Sequence, residues 1–91
     1  MKPMYGVIFS PNVPLDLTLF GGQRFEFGQG DALIKTMVLT CSEVNETSFG
    51  LLHLVPKELE GQDNMTLFVP PAYILWMVRA DKESKLGFLS N

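Results

Sequence analysis

The chain has 91 residues, which suits one domain. Its hydrophobic fraction of 46% is high enough for a packed core and argues against an intrinsically disordered chain. The net charge is −3 and the seven lysine and arginine residues are scattered, so a broad nucleic-acid-binding surface is not expected.

The numbers of cysteine and histidine residues limit the disulfides and metal sites that the chain can form. The only cysteine, Cys41, excludes a disulfide within the chain, and with the single histidine, His53, it cannot form a Cys/His zinc site. The first residues lack the apolar run of a secretory signal. We therefore expect a cytoplasmic protein with no metal site and no cofactor.

The first predicted element is a strand at Tyr5–Phe9. Prolines precede and follow it, so residues 1–14 are predicted to form an extended edge segment or a segment swapped onto a neighbouring copy. A hairpin follows, formed by residues 15–20 and 24–27 about Gly21-Gly22. A three-residue loop would pair Leu19 with Phe25 and keep apolar side chains on one face.

The rest of the chain also consists of short apolar stretches between turns. The predicted elements are a turn over 28–31, a strand over 32–41, a polar loop over 42–48, a strand over 49–55, a helical turn over 56–61, strands over 65–69 and 73–80, a charged turn over 81–84 and a last strand over 85–89. No stretch shows a long helical period. The sequence predicts an all-β fold, a small single-domain antiparallel β-barrel over 1–91 with at most a short helical turn.

An uncharged stretch, Leu67–Val78, is expected to organise the fold. It is shorter than the ~20 apolar residues of a membrane helix, and Pro70-Pro71 divides it into two strands, so no membrane span is predicted. Side chains of the second strand alternate between faces, and both faces are apolar. One face, assigned to the core, carries Ile74, Trp76 and Val78, and the other, assigned to an oligomer interface, carries Tyr73, Leu75 and Met77.

Both faces of this strand need cover, and two sources are open. A second copy of the chain would make a homo-oligomer, whereas the N-terminal segment would cover the strand from within the same chain. A protein partner is a further candidate for the interface.

Nothing in the sequence requires an enzyme. His53 shares a strand face with Phe49 and Val55, which is typical of a core or interface histidine. The carboxylates fall in turns, the usual place for solvated side chains, and no nucleophile motif surrounds His53. We therefore expect no catalytic residue.

The segment Asn45-Glu-Thr-Ser-Phe-Gly50 resembles the second half of the PilZ-domain signature, and Tyr73–Val78 with Leu86–Leu89 resembles the closing strands of that family. The resemblance implies a six-stranded barrel that binds cyclic di-GMP. It would place Arg24, Asn45, Thr47 and Gly50 at the ligand. PilZ domains hold the ligand with an Arg-x-x-x-Arg pair, whereas here Gly28 stands four residues after Arg24.

A second resemblance is to Sm-like small barrels. In that family a strand bent at a glycine precedes a final unit of strand, tight turn and strand, and Gly50 followed by Phe68–Trp76 has this form. The resemblance implies a ring of subunits and RNA as a partner.

The hypothesis that follows is a non-enzymatic, self-associating β-barrel that acts as an interaction or regulatory module. The alternatives are a degenerate PilZ-like domain that responds to cyclic di-GMP and an Sm-like oligomer that binds RNA.

Overall fold

The computed structural model describes residues 3–57 and 67–81. This part of the chain is mostly antiparallel β-sheet and contains no α-helix. Short 3-10 turns cover Leu17–Phe20, Gly30–Ala32 and Pro71–Tyr73. The six strands are β1 (Met4–Phe9), β2 (Gln23–Phe27), β3 (Ile34–Glu46), β4 (Leu52–Pro56), β5 (Leu67–Val69) and β6 (Ile74–Ala80).

The long strand β3 is the centre of the sheet, whose order is β5-β4-β3-β1-β6. Val38 lies opposite Ile8 of β1 and Gln23 of β2, so these two strands lie on opposite edges of β3. Cys41 lies opposite both β1 and β4. Hence β2 and β4 share one edge of β3, β2 along its first half and β4 along its second.

The all-β prediction is confirmed, but the prediction of a closed barrel is wrong. Closure requires the first and last strands of the row to pair. In the described residues β5 and β6 end the row and do not pair with each other. Because β2 and β4 share an edge, the row is only five strands wide, and residues 15–20, predicted as a strand, do not add to it.

Residues Leu17–Phe20 form a 3-10 turn instead of the predicted strand. The carboxylate of Asp16 accepts hydrogen bonds from the backbone N–H of Thr18 at 3.1 Å and from its hydroxyl at 2.5 Å. Gly21 ends the turn in the left-handed region, at φ 84°, which glycine adopts without steric cost. Local hydrogen bonds of the Asp16 side chain therefore favour the 3-10 turn over the strand that the apolar alternation predicts. Because residues 17–20 are not a strand, β2 has no hairpin partner there and pairs with β3.

Residues predicted as a polar loop after Cys41 continue β3 as far as Glu46. The ladder to β4 has a bulge between Cys41 and Glu43, which leaves Ser42 as the extra residue. The Ser42 hydroxyl donates to the carbonyl of Val55 at 3.3 Å. Polar residues are compatible with this part of β3 because one of its faces is open to solvent, where Glu43 and Asn45 are exposed.

The predicted strand at Tyr5–Phe9 is present as β1, but it lies inside the sheet rather than along an edge. It pairs with β3 on one side and β6 on the other. Its flanking prolines lie outside the paired residues, so no ladder hydrogen bond is lost.

Apolar side chains pack on both faces of the sheet. The core face carries Val7 and Phe9 of β1, packed with Leu17, Leu39 and Leu54. The second face carries a smaller cluster of Met4, Ile8, Val38 and Ala80, against which Phe25, Phe27 and Val78 are partly buried.

Two predicted elements fall on residues outside the described ranges. The helical turn predicted over 56–61 lies mostly outside them, and the last strand, predicted over 85–89, lies outside them entirely.

Candidate association surface

Strand β6 contains a β-bulge that changes which side chains share a face. Ile74 lies opposite Phe9 and Trp76 lies opposite Ile8, so three residues of β6 span two residues of β1 and Leu75 is the extra residue. Phe9 and Ile8 point to opposite faces. Ile74 therefore packs on the core face, whereas Trp76 lies on the second face.

The expectation that Trp76 is a core residue is wrong. Its side chain is 52% exposed, and its ring lies 4.9 Å from the ring of Phe27, centroid to centroid. β6 ends the row of strands, so on its outer side no described strand supplies neighbours to cover the indole.

Of the three predicted interface residues, Leu75 and Met77 are each 42% exposed. Tyr73 is instead partly buried against the core face. Its backbone closes the turn after Pro70, since the Tyr73 N–H donates to the Pro70 carbonyl at 3.0 Å. Its carbonyl accepts from the N–H of Ser10 at 2.7 Å, which ties the start of β6 to the end of β1.

The outer edge of β6 has no strand partner in residues 3–57 and 67–81. The backbone groups of an edge strand are a template for pairing with another strand. We call the exposed side chains Leu75, Trp76 and Met77, with Phe27 beside Trp76, the β6 edge surface. Arg79 is the only charged residue within β6.

The four residues predicted for nucleotide binding do not come together. Arg24 lies opposite Met37 near the start of β3, whereas Asn45 lies opposite His53 near its end. Eight residues of β3 separate these positions, a distance of roughly 25 Å at about 3.3 Å per residue. Thr47 and Gly50 lie beyond Asn45, in the turn between β3 and β4.

Thr47 and Gly50 both stabilise that turn. The Thr47 hydroxyl donates to the carbonyl of Leu51 at 2.5 Å and accepts from its N–H at 3.2 Å. Gly50 has φ 85°, a backbone conformation that favours glycine. The N–H of Gly50 also donates to the carbonyl of Thr47 at 3.4 Å, so the two residues of this spacing close the same turn.

Arg24 lies on a different feature, an open groove of about 340 Å³ between the β2–β3 hairpin and the loop after β1. The groove combines charged and apolar side chains. Its lining includes Val13, Leu15, Arg24, Glu26, Lys35 and Met37.

An aromatic cluster, which the sequence does not reveal, lies on the β4–β5 part of the sheet. The ring of Phe68 lies 5.3 Å from that of His53 and 5.3 Å from that of Phe49, centroid to centroid. His53 is also within 3.5 Å of the side-chain amide of Asn45. The sequence predicts an apolar strand face that holds His53 and Phe49. Phe68 lies beside His53 only because β4 pairs with β5, which the sequence does not show.

Chemical groups that could act as a nucleophile or a metal ligand are sparse in the described residues. Cys41 is fully buried, and burial raises the pKa of its thiol from 9.0 to about 12. The thiolate, which is the reactive form, is thus suppressed. Residues 3–57 and 67–81 contain no group of three or more His, Cys, Asp or Glu side chains placed to hold a metal ion.

Within the described ranges, no helix has the length and apolar character needed to cross a membrane. No family model, no curated protein and no solved structure matches the chain.

Proposed function

We propose that the chain is a non-enzymatic interaction module that self-associates through the β6 edge surface. The observation that carries the proposal is the exposure of three consecutive large apolar side chains, Leu75, Trp76 and Met77, on the outermost strand of the described sheet. Isolated exposed apolar residues are ordinary, but a contiguous apolar patch is typical of an association surface.

The composition of the patch also favours a protein interface. Tryptophan and methionine are enriched at interface centres, and charged residues are depleted there. Complete burial of such a side chain contributes about 1.5–3 kcal/mol, so the exposed part of each contributes roughly 1 kcal/mol when a partner covers it.

The two alternative functions have less support. The cyclic di-GMP hypothesis needs Arg24 and the Asn45–Gly50 segment at one ligand, and the two lie far apart along β3. The RNA hypothesis needs a basic surface, whereas the chain carries a net charge of −3.

Gel filtration with light scattering tests the proposal. The wild-type chain is expected to elute as an oligomer, and Leu75→Glu is expected to elute as a smaller folded species, because a carboxylate is costly to bury at an interface. Leu19→Glu is the matched control, since Leu19 is 70% exposed and lies in the 3-10 turn outside β6.

Circular dichroism of each variant shows whether the sheet is retained. The proposal is wrong if the wild-type chain is monomeric at high concentration. It is also wrong if Leu75→Glu and Leu19→Glu change the molar mass of the eluting species equally.

A further inference from the structure

We propose that the aromatic cluster of Phe49, His53 and Phe68 binds a small organic cation that carries a trimethylammonium group. The cluster lies over β4 and β5, whereas the β6 edge surface lies at the other end of the row of strands. This site is therefore separate from the proposed self-association surface, and either can exist without the other.

Strand pairing places the cluster on the side of the sheet away from the main core. His53 of β4 lies opposite Phe68 of β5. Their neighbours Leu54 and Leu67 are buried in the core face, so His53 and Phe68 point to the second face. Phe49, in the β3–β4 turn, adds a third ring. Three segments that are separate in the sequence thus contribute one ring each.

The two phenyl rings are large, exposed and in contact. The side chain of Phe49 is 62% exposed and that of Phe68 is 43% exposed, and their ring planes are inclined by 61°. The face of an aromatic ring is electron-rich, and it attracts a cation within about 6 Å of the ring centroid. Because the Phe68 centroid lies 5.3 Å from those of both Phe49 and His53, one cation can lie within reach of more than one ring.

The charges around the cluster also favour a cation. Glu43 is exposed on the same face and lies opposite Val55, which places its Cβ atom about 7–8 Å from that of His53 across the ladder. The only basic residue of β3, β4 and β5 is Lys35. It shares the other face with Leu39, which is buried in the core. An anionic ligand would find no cation on this face of the three strands.

The chemistry of the rings selects a fully methylated nitrogen. A primary ammonium group needs acceptors for its three N–H donors, and ring faces offer only weak ones, so covering it with rings is costly. A trimethylammonium group has no N–H, and its methyl groups pack on ring faces while its charge is retained. A small soluble molecule is favoured over a membrane surface, because anionic leaflets attract basic rather than acidic proteins.

A titration followed by nuclear magnetic resonance of the full ¹⁵N-labelled chain tests the site with three probes. Choline carries the trimethylammonium group, 3,3-dimethyl-1-butanol has the same shape without the charge, and ethanolamine has the charge without the methyl groups. Choline is expected to shift the amide signals of Phe49, His53 and Phe68. It should bind about fivefold more tightly than either of the other two probes, the effect of one cation–π contact.

Substitutions of Phe68 separate the ring from its apolar surface. Phe68→Leu keeps an apolar side chain and should weaken choline binding by about fivefold, whereas Phe68→Tyr keeps a ring and should bind choline within about twofold of wild type. Circular dichroism shows whether each variant retains the sheet. If Phe68→Leu does not fold, Phe49→Leu replaces it, because Phe49 lies in a turn and is mostly exposed.

Four outcomes overturn the proposal. Equal affinity for choline and 3,3-dimethyl-1-butanol makes the cluster an ordinary apolar surface. Equal affinity for choline and ethanolamine reduces the effect to a general attraction of cations by an acidic chain. Unchanged choline binding in the folded leucine variant excludes the rings. Absence of signal shifts at the cluster leaves these rings to another part of the chain or to a protein partner.

Discussion

Two small side chains, Cys41 and Thr47, take their roles from their immediate surroundings. Cys41 is enclosed by the core face of the sheet, where it behaves as a small apolar residue with a protonated thiol. Thr47 uses one hydroxyl twice, as donor and acceptor, to close the β3–β4 turn on Leu51. Both residues contribute to stability through what they contact inside the chain.

The Cys41 thiol is expected to make stability depend on alkaline pH. Its pKa is raised from 9.0 to about 12 by burial, so above pH 9 the unfolded state loses this proton before the folded state. The contribution is fully present below pH 9 and is lost as pH rises toward 12, at no more than about 1.4 kcal/mol per pH unit. Urea unfolding across this range measures it.

Cys41→Ala is the control, because tyrosines and lysines also titrate in that range. The variant should show a smaller loss of unfolding free energy between pH 9 and 12. Equal pH dependence in both proteins would contradict the prediction.

Thr47→Val is expected to lower the free energy of unfolding by about 0.5–1.5 kcal/mol, the usual contribution of a hydrogen bond. Valine keeps the shape of threonine but cannot bond to Leu51. Ser48→Ala changes the neighbouring exposed residue of the same turn and should stay within about 0.5 kcal/mol of wild type. Denaturant unfolding compares them. An unchanged stability in Thr47→Val would mean that the turn does not depend on the hydroxyl.

At the scale of elements, the least expected feature is the 3-10 turn at Leu17–Phe20. In a strand Leu17 and Leu19 would lie on the same face, two residues apart. In the 3-10 turn they diverge: Leu17 is 0% exposed and packs in the core, whereas Leu19 is 70% exposed. The turn therefore covers one side of the core with the fully buried Leu17 and the partly buried Phe20.

Alanine substitutions separate the two structures of this segment. Leu17→Ala is expected to lower the free energy of unfolding by about 2–5 kcal/mol, as for other buried leucines. Leu19→Ala is expected to change it by less than about 0.5 kcal/mol. Denaturant unfolding measures both, and similar losses in the two variants would favour the strand over the 3-10 turn.

At the scale of the whole molecule, residues 3–57 and 67–81 form a single open row of strands, and within these residues the two faces are unequally covered. The core face is closed by the 3-10 turn and by neighbouring loops, and its central side chains are fully buried. The second face carries a smaller buried cluster, and toward the β6 end of this face the side chain of Trp76 is exposed. Covering that end requires more chain than the described residues supply.

If a second copy supplies the cover, thermal stability should depend on protein concentration. Mass action stabilises the associated state by up to about 1.4 kcal/mol per dimer for each tenfold rise in concentration above the dissociation constant. The wild-type melting temperature, followed by circular dichroism, should rise with concentration. Leu75→Glu should show a smaller rise, and a concentration-independent wild-type midpoint would argue against association.

The candidate site was predictable only in part. Residues Leu75 and Met77 were identified from the lack of polar alternation in one strand, and both are exposed on β6. Tyr73, predicted at the interface, is partly buried against the core, whereas Trp76, predicted in the core, is exposed. The aromatic cluster at Phe49 and Phe68 requires knowledge of which strands pair, which no local pattern supplies.

Local chemistry in the sequence determined the strand-rich class, the strands at β1 and β6 and the turn at Pro70-Pro71, because strand propensity and proline geometry act within a few residues. Tertiary structure alone decided the open row of strands and the face that Trp76 occupies. The bulge at Leu75 exists only in the register between β6 and β1, residues separated by more than sixty positions in the chain. A shift of one residue in such a register exchanges the two faces of a strand.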